Sequence, residues 1–196
     1  MTIQNRESDN YNESNLMVLA MMDLQSSLLS SIPCYDSLLE SSEIILQSAN
    51  LLGIPVVITE QVPEKLGHTH DRITKLAHSA QVIHKNTFSA FGSPGFLNFL
   101  NDSHAEHLIL CGLETSICIY LTALDAINRG MRVTVLLDGV SCRRNIDGKW
   151  ALSELRHRGA SLIPLETFFY AQLNSSSHDC FKDISSLIKK RSCFKP

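Results

Sequence analysis

The sequence predicts an α/β fold of three layers: a six-stranded, mainly parallel sheet with helices on both faces, Rossmann-like in plan. Three observations carry that prediction. Short apolar runs without charge recur along the chain, the pattern of strands buried on both faces. Segments with helical apolar spacing separate several of them. No stretch is rich enough in Pro, Gly or Ser to divide the 196 residues, 44% of them hydrophobic, into more than one domain.

The run Leu16 to Met22 stops at Asp23 and reads as the first strand. Leu38 to Leu52 carries apolar residues at helical spacing and ends at Gly53, a helix stop, before Ile54 to Thr59 forms a second strand. Gln81–His84, His107–Cys111, Arg132–Leu137 and the weaker Ser161–Ile163 supply four more, with helices at about 115–129 and 147–158. Right-handed crossovers between parallel strands then place helices on both faces. Residues 1–15 are polar and carry both charge signs, without the basic-then-apolar order of a secretory signal. They are expected to form a flexible arm ahead of a domain at 16–190.

A formal charge of −3 supplies no electrostatic footprint for nucleic acid, and the Lys189-Lys190-Arg191 cluster reads as a solvated helix end. No apolar run approaches the roughly 18 residues of a membrane span. The six cysteines (34, 111, 118, 142, 180 and 193) contain no CxxC pair and no zinc-ribbon or disulfide spacing, which points to reduced thiols in the cytoplasm. Cys111, inside an apolar strand, reads as a small core residue.

In a sheet of this kind ligands bind beyond the carboxyl ends of the strands. The residues there are Asp23, Glu60, Lys85, Gly112 to Cys118, and Asp138. Gly112 to Cys118 runs from a strand through a tight turn, which places Cys118 in the first turn of the next helix. Unpaired N–H groups and the helix dipole favour a thiolate there, and the same amides suit an oxyanion. A buried cysteine packing under the helix is the competing reading. Asp23 follows seven apolar residues, and a carboxylate so placed needs a thiol to deprotonate or a cation to pair with. A helix cap and a phosphotransfer metal site are its alternatives, the second weakened because no other carboxylate and no glycine-rich loop stand nearby. Lys85 would stabilise both ionised groups, although an isolated lysine is more often a surface charge. Phe88 and Phe91 suit either a pocket wall or the core.

An Asp ending the first strand, a Lys followed by Phe88-Ser89-Ala90-Phe91, and the turn Gly112-Leu113-Glu114-Thr115-Ser116-Ile117-Cys118 together resemble the isochorismatase-like cysteine hydrolases. That family includes nicotinamidases and N-carbamoylsarcosine amidases, and the resemblance covers roughly residues 16–173. It implies a triad in which Asp23 takes the proton of Cys118, Lys85 stabilises the charged pair, and a covalent thioester forms before water releases the acid. It also implies a cis peptide at Leu113–Glu114, a bond costing about 3–4 kcal/mol, that aims the N–H groups of Glu114 and Cys118 at the oxyanion. A homo-oligomer, in which the Asp138-Gly139 to Arg144 region helps subunit contact, is implied as well.

Thr59-Glu60-Gln61-Val62-Pro63-Glu64-Lys65-Leu66-Gly67 and the tail from Phe181 to Lys189 resemble the isochorismatase domain-containing subgroup. Nicotinamidases carry an Asp-x-His metal loop at this place; Glu60-Gln61-Val62 stands here instead, so no metal and no cofactor is expected. His68 and His70 have a spacing that suits a metal, but surface histidines are the commoner explanation. Gln25, Glu60, Gln61 and Phe88 are the expected lining of a pocket for a small-molecule substrate. Trp150, the only tryptophan, is expected in the core or at an interface. The sequence therefore predicts hydrolysis of a small amide. An ether- or ester-bond hydrolase and a non-catalytic binding protein of the same fold are the alternatives.

Overall fold

The computed structural model describes residues 16–33 and 35–191, and the expected arm at 1–15 lies outside them. Six strands, β1 (Met17–Met22), β2 (Val56–Gln61), β3 (Gln81–Lys85), β4 (His107–Leu113), β5 (Arg132–Ser141) and β6 (Ser161–Ile163), form one sheet in the order β3-β2-β1-β4-β5-β6. Every pairing is parallel. The helices are α1 (Ser26–Leu29), α2 (Tyr35–Leu51), α3 (Pro63–Leu66), α4 (Asp71–Thr74), α5 (Pro94–Asp102), α6 (Tyr120–Asn128), α7 (Asn145–His157), α8 (Leu165–Leu173) and α9 (Phe181–Lys189).

All six residues of β1 are buried because both faces of the sheet are covered. Leu19 and Met21 pack towards α2, α8 and α9, against Leu39, Ile45, Phe169 and Ile184. Val18, Ala20 and Met22 pack on the other side with Phe96 of α5, Ala123 of α6 and Leu155 of α7. The uninterrupted apolar run of β1 is the sequence record of that two-sided burial.

The fifth strand runs four residues past Leu137 because its pairing is irregular: Leu110 pairs with Val135, but Gly112 pairs with Val140. Asp138 sits in this irregular stretch instead of beyond the strand. Its Oδ1 accepts the Leu165 N–H at 2.8 Å, satisfying an open donor at the start of α8, and its Oδ2 takes Arg191 Nη1 at 2.5 Å. Asp138 thus fastens α8 and the end of the described chain to the sheet.

Gly112 has φ 120°, and a Cβ there would lie 2.1 Å from the Met22 carbonyl oxygen. Only glycine lets β4 come this close to β1 where Asp23 and Glu114 diverge. Cys111 is fully buried, as a core residue should be. Trp150 is 65% exposed on α7, which removes the core reading for it.

Candidate active site

Strand order reverses between β1 and β4, and the crevice beyond their carboxyl ends is where the candidate residues converge. The backbone is strained at the ends of three neighbouring strands: Val62 after β2 has φ 41°, Asp23 after β1 has φ 55°, and Glu114 after β4 has φ 57°. Left-handed conformations cost an L-residue about 1–2 kcal/mol. Two of the three belong to the predicted site, the usual place for such strain.

Asp23 is 1% exposed, and its N–H donates to the Thr59 carbonyl at 3.0 Å. Its carboxylate is held from two sides, by the Thr59 hydroxyl to Oδ1 at 2.7 Å and by Lys85 Nζ to Oδ2 at 2.8 Å. The Lys85 side chain has no exposed surface. Besides Asp23, its ammonium reaches Gln61 Oε1 at 2.5 Å, the Thr87 carbonyl at 3.4 Å and Cys118 Sγ at 3.7 Å. Burying an amine of this kind is costly unless acceptors surround it, and here they do. Asp23, Lys85 and Cys118, distant in the chain, are therefore one contiguous cluster.

Cys118 lies in a π-helical turn, Thr115–Ile119, that leads into α6; the Ile119 N–H donates to the Glu114 carbonyl at 3.3 Å. Irregular turns of this type recur at functional sites. A helix start favours a thiolate, but the surroundings of this thiol work against one. Burial and the adjacent Asp23 carboxylate, which also hydrogen-bonds the thiol, push its pKa up to about 12, and Lys85 offsets this only in part.

The expected cis bond is replaced by a different device. No peptide bond among the described residues is cis, and the chain turns at Leu113–Glu114 because Glu114 adopts a left-handed conformation. The Glu114 carboxylate accepts from Arg143 Nε at 2.6 Å, which holds the turn from the β5–α7 connection.

The four expected pocket residues divide. Gln61 faces Lys85 directly. Gln25 is fully buried; its amide donates to the Gln61 carbonyl at 3.0 Å and the Gly67 carbonyl at 2.5 Å and accepts from the Gln61 N–H at 2.7 Å. With those bonds made it fastens the end of β2 to the next loop and has little left for a substrate. Phe88 is 59% exposed, one residue beyond the Thr87 carbonyl that Lys85 touches, while Phe91 is in the core.

Glu60 points to the opposite face of the sheet from Gln61, as adjacent strand residues must. It is buried against Thr69, whose N–H and hydroxyl donate to Oε1 at 2.7 and 2.9 Å. Burial pushes its pKa up, but the bonds from Thr69 and His68 outweigh burial and hold it below the usual carboxylate value. His70 takes no part: its Nδ1 accepts the Arg72 N–H at 3.2 Å, at the start of α4. Thr59, Arg143 and His84 were not anticipated. The period of two along β2 does carry the signal for Thr59, because Val57, Thr59 and Gln61 share the face that meets Lys85.

The model of the Isochorismatase domain matches residues 17–167. The chain belongs to this family. Isochorismatase domain-containing protein 2A of Mus musculus is 34% identical over 174 residues, covering 88% of this chain and 82% of that protein. Among solved structures, one from Caenorhabditis elegans described as MAR1 ribonuclease has a TM-score of 0.86 at 28% identity, covering 93% of this chain and 96% of that one. The Escherichia coli YcaC gene product, described as an octameric hydrolase of unknown specificity, shares the fold with a TM-score of 0.85 at 19% identity, covering 91% and 89%.

Proposed function

We propose that this protein is a cysteine hydrolase that cleaves a small amide C–N bond through a thioester on Cys118. The observation that carries the reading is the placement of Lys85 Nζ 2.8 Å from Asp23 and 3.7 Å from Cys118, all three groups being buried. As Sγ attacks the amide carbonyl carbon, its proton passes to the Asp23 carboxylate, and Lys85 stabilises the charge that moves between them. The N–H groups of Glu114 and Cys118 donate to the oxyanion. Protonated Asp23 then gives its proton to the departing nitrogen as the C–N bond breaks. Water attacks the thioester carbonyl as Asp23 takes its proton; the C–S bond then breaks, the acid leaves, and Asp23 returns that proton to Sγ.

The substrate is a small molecule, no cofactor or nucleic acid takes part, and the compartment is the reducing cytoplasm. Among the described residues, Cys111, Cys118, Cys142 and Cys180 are free thiols. No helix among the described residues is long and apolar enough to cross a membrane.

The test is turnover of a panel of small amides, with RNA as a parallel substrate, followed by acid quench and intact mass measurement. Wild type is expected to carry an acyl group on Cys118, and Cys118→Ala to lose at least about 10³-fold in turnover. Amide hydrolysis that survives Cys118→Ala overturns the mechanism. A panel on which both proteins are equally inert favours the binding-protein alternative.

We infer further that the chain assembles with copies of itself through α7. Ile146 and Trp150, four residues apart on one helical face, are 57% and 65% exposed, and they follow the Arg143 contact with Glu114. Light scattering is expected to give a multiple of the chain mass for wild type and a smaller one for Trp150→Glu. A single-chain mass for wild type would rule the assembly out.

A further inference from the structure

The three functional groups Glu60, His68 and His84 play no part in the proposed reaction, yet they converge on one point. Glu60 lies on β2 and His84 is its register partner on β3, so both leave the same face of the sheet, opposite Gln61 and Lys85. His68 arrives from the loop between α3 and α4. Its Nδ1 is 2.9 Å from Glu60 Oε2, and His84 Nε2 is 3.3 Å from the same oxygen. The three candidate ligand atoms all lie within 4.8 Å of one another.

We propose that Glu60 Oε2, His68 Nδ1 and His84 Nε2 bind a divalent cation of the zinc class. Two imidazoles and one carboxylate suit Zn²⁺ and its neighbours in the first transition row, and not Mg²⁺ or Ca²⁺, which take oxygen shells. Zn–N and Zn–O bonds near 2.0–2.1 Å put tetrahedral ligand atoms about 3.3 Å apart. Both distances to Glu60 already approach that value. The two imidazoles need only swing together, and with side chains 74% and 60% exposed they have room to do so.

The carboxylate is already oriented as a ligand. Thr69 occupies Oε1 with its N–H and hydroxyl, which leaves Oε2 to face the imidazoles; such outer contacts fix a ligand's direction. The Glu60 side chain is 3% exposed at the floor of the site while both histidines stand open to solvent, so an ion has a way in. Three protein ligands leave a fourth position for water. The set differs from an Asp-x-His loop in residue type and position, and it lies across the sheet from Cys118. Occupancy would clamp the 62–70 loop to β3, one residue along each strand from Gln61 and Lys85. The site stands independently of the amide-hydrolase reading.

The experiment is titration of the full chain with Zn²⁺ against a chromophoric chelator, paired with thermal unfolding, for wild type, His68→Ala, His84→Ala and Glu60→Gln. Wild type is expected to take up one Zn²⁺ per chain and to unfold at higher temperature when loaded. Each histidine variant should bind at least about tenfold more weakly and lose the thermal shift. Both histidines are exposed, so these two variants keep the test decisive even if Glu60→Gln folds poorly. No uptake by wild type, or uptake equal in wild type and both histidine variants, as binding through thiols would give, overturns the proposal.

Discussion

Asp23→Asn is expected to lower amide hydrolysis by about 10²–10⁴-fold, the usual worth of a positioned acid–base group, while making Cys118 more reactive towards iodoacetamide. The opposite signs follow from what holds the thiol. In the wild-type cluster, burial and the Asp23 carboxylate push the Cys118 pKa up to about 12, and Lys85 pulls it down. Asparagine removes the carboxylate charge and its hydrogen bond but leaves burial and the ammonium in place. Each unit by which the pKa falls gives about tenfold more thiolate at a fixed pH below it. Wild-type Cys118 should therefore alkylate slowly at neutral pH and climb about tenfold per pH unit without levelling off near 8.5, where an ordinary thiol does. In Asp23→Asn the whole profile should move to lower pH. Amide turnover should nevertheless collapse, because no group remains to take the thiol proton or return it to the leaving nitrogen. Alkylation as slow in the variant as in wild type would mean that Asp23 does not hold the thiol protonated. Unchanged hydrolysis would remove it from the mechanism.

Much of this arrangement was legible in the sequence, and the limits of legibility have physical causes. Strands buried on both faces write themselves as charge-free runs, so β1 could be read directly, and Asp23 stood out as the charge that ends it; Lys85 closes an edge strand with exposed residues, where periodicity alone does not mark it. Side-chain direction was harder. Glu60 and Gln61 are neighbours in the chain, and both were assigned to the pocket. One residue of strand turns them to opposite faces, Gln61 onto Lys85 and Glu60 onto His68 and His84. His84 could not be paired with His68 from spacing, because they meet only through Glu60: the parallel register of β2 with β3 sets His84 beside it, and the loop after α3 brings His68 to it. The ionisation of Cys118 likewise depends on groups outside its own segment. A helix start favours a thiolate, but burial and a carboxylate that arrives from another strand both push the other way.

Lys85→Met is expected to destabilise the fold by about 3–5 kcal/mol, the cost of leaving one partner of a buried ion pair without the other. Methionine keeps most of the side-chain volume, so the loss is chiefly electrostatic. The Asp23 carboxylate, 1% exposed, would retain the Thr59 hydroxyl and lose its only neighbouring cation in the cluster. Against a total stability of order 5–15 kcal/mol that is a large fraction, and the variant should show it as a lower urea midpoint. Asp23→Asn combined with Lys85→Met removes both charges and should recover much of the loss, because no uncompensated buried charge is left. The two single changes should then be non-additive by more than about 0.5 kcal/mol, the scatter seen for independent sites. Stability that returns in the double variant while hydrolysis stays absent would mean that this ion pair is retained for chemistry and not for folding. Additive losses would show instead that Asp23 and Lys85 are held by their other neighbours, Thr59 and Gln61, and that their mutual contact contributes little.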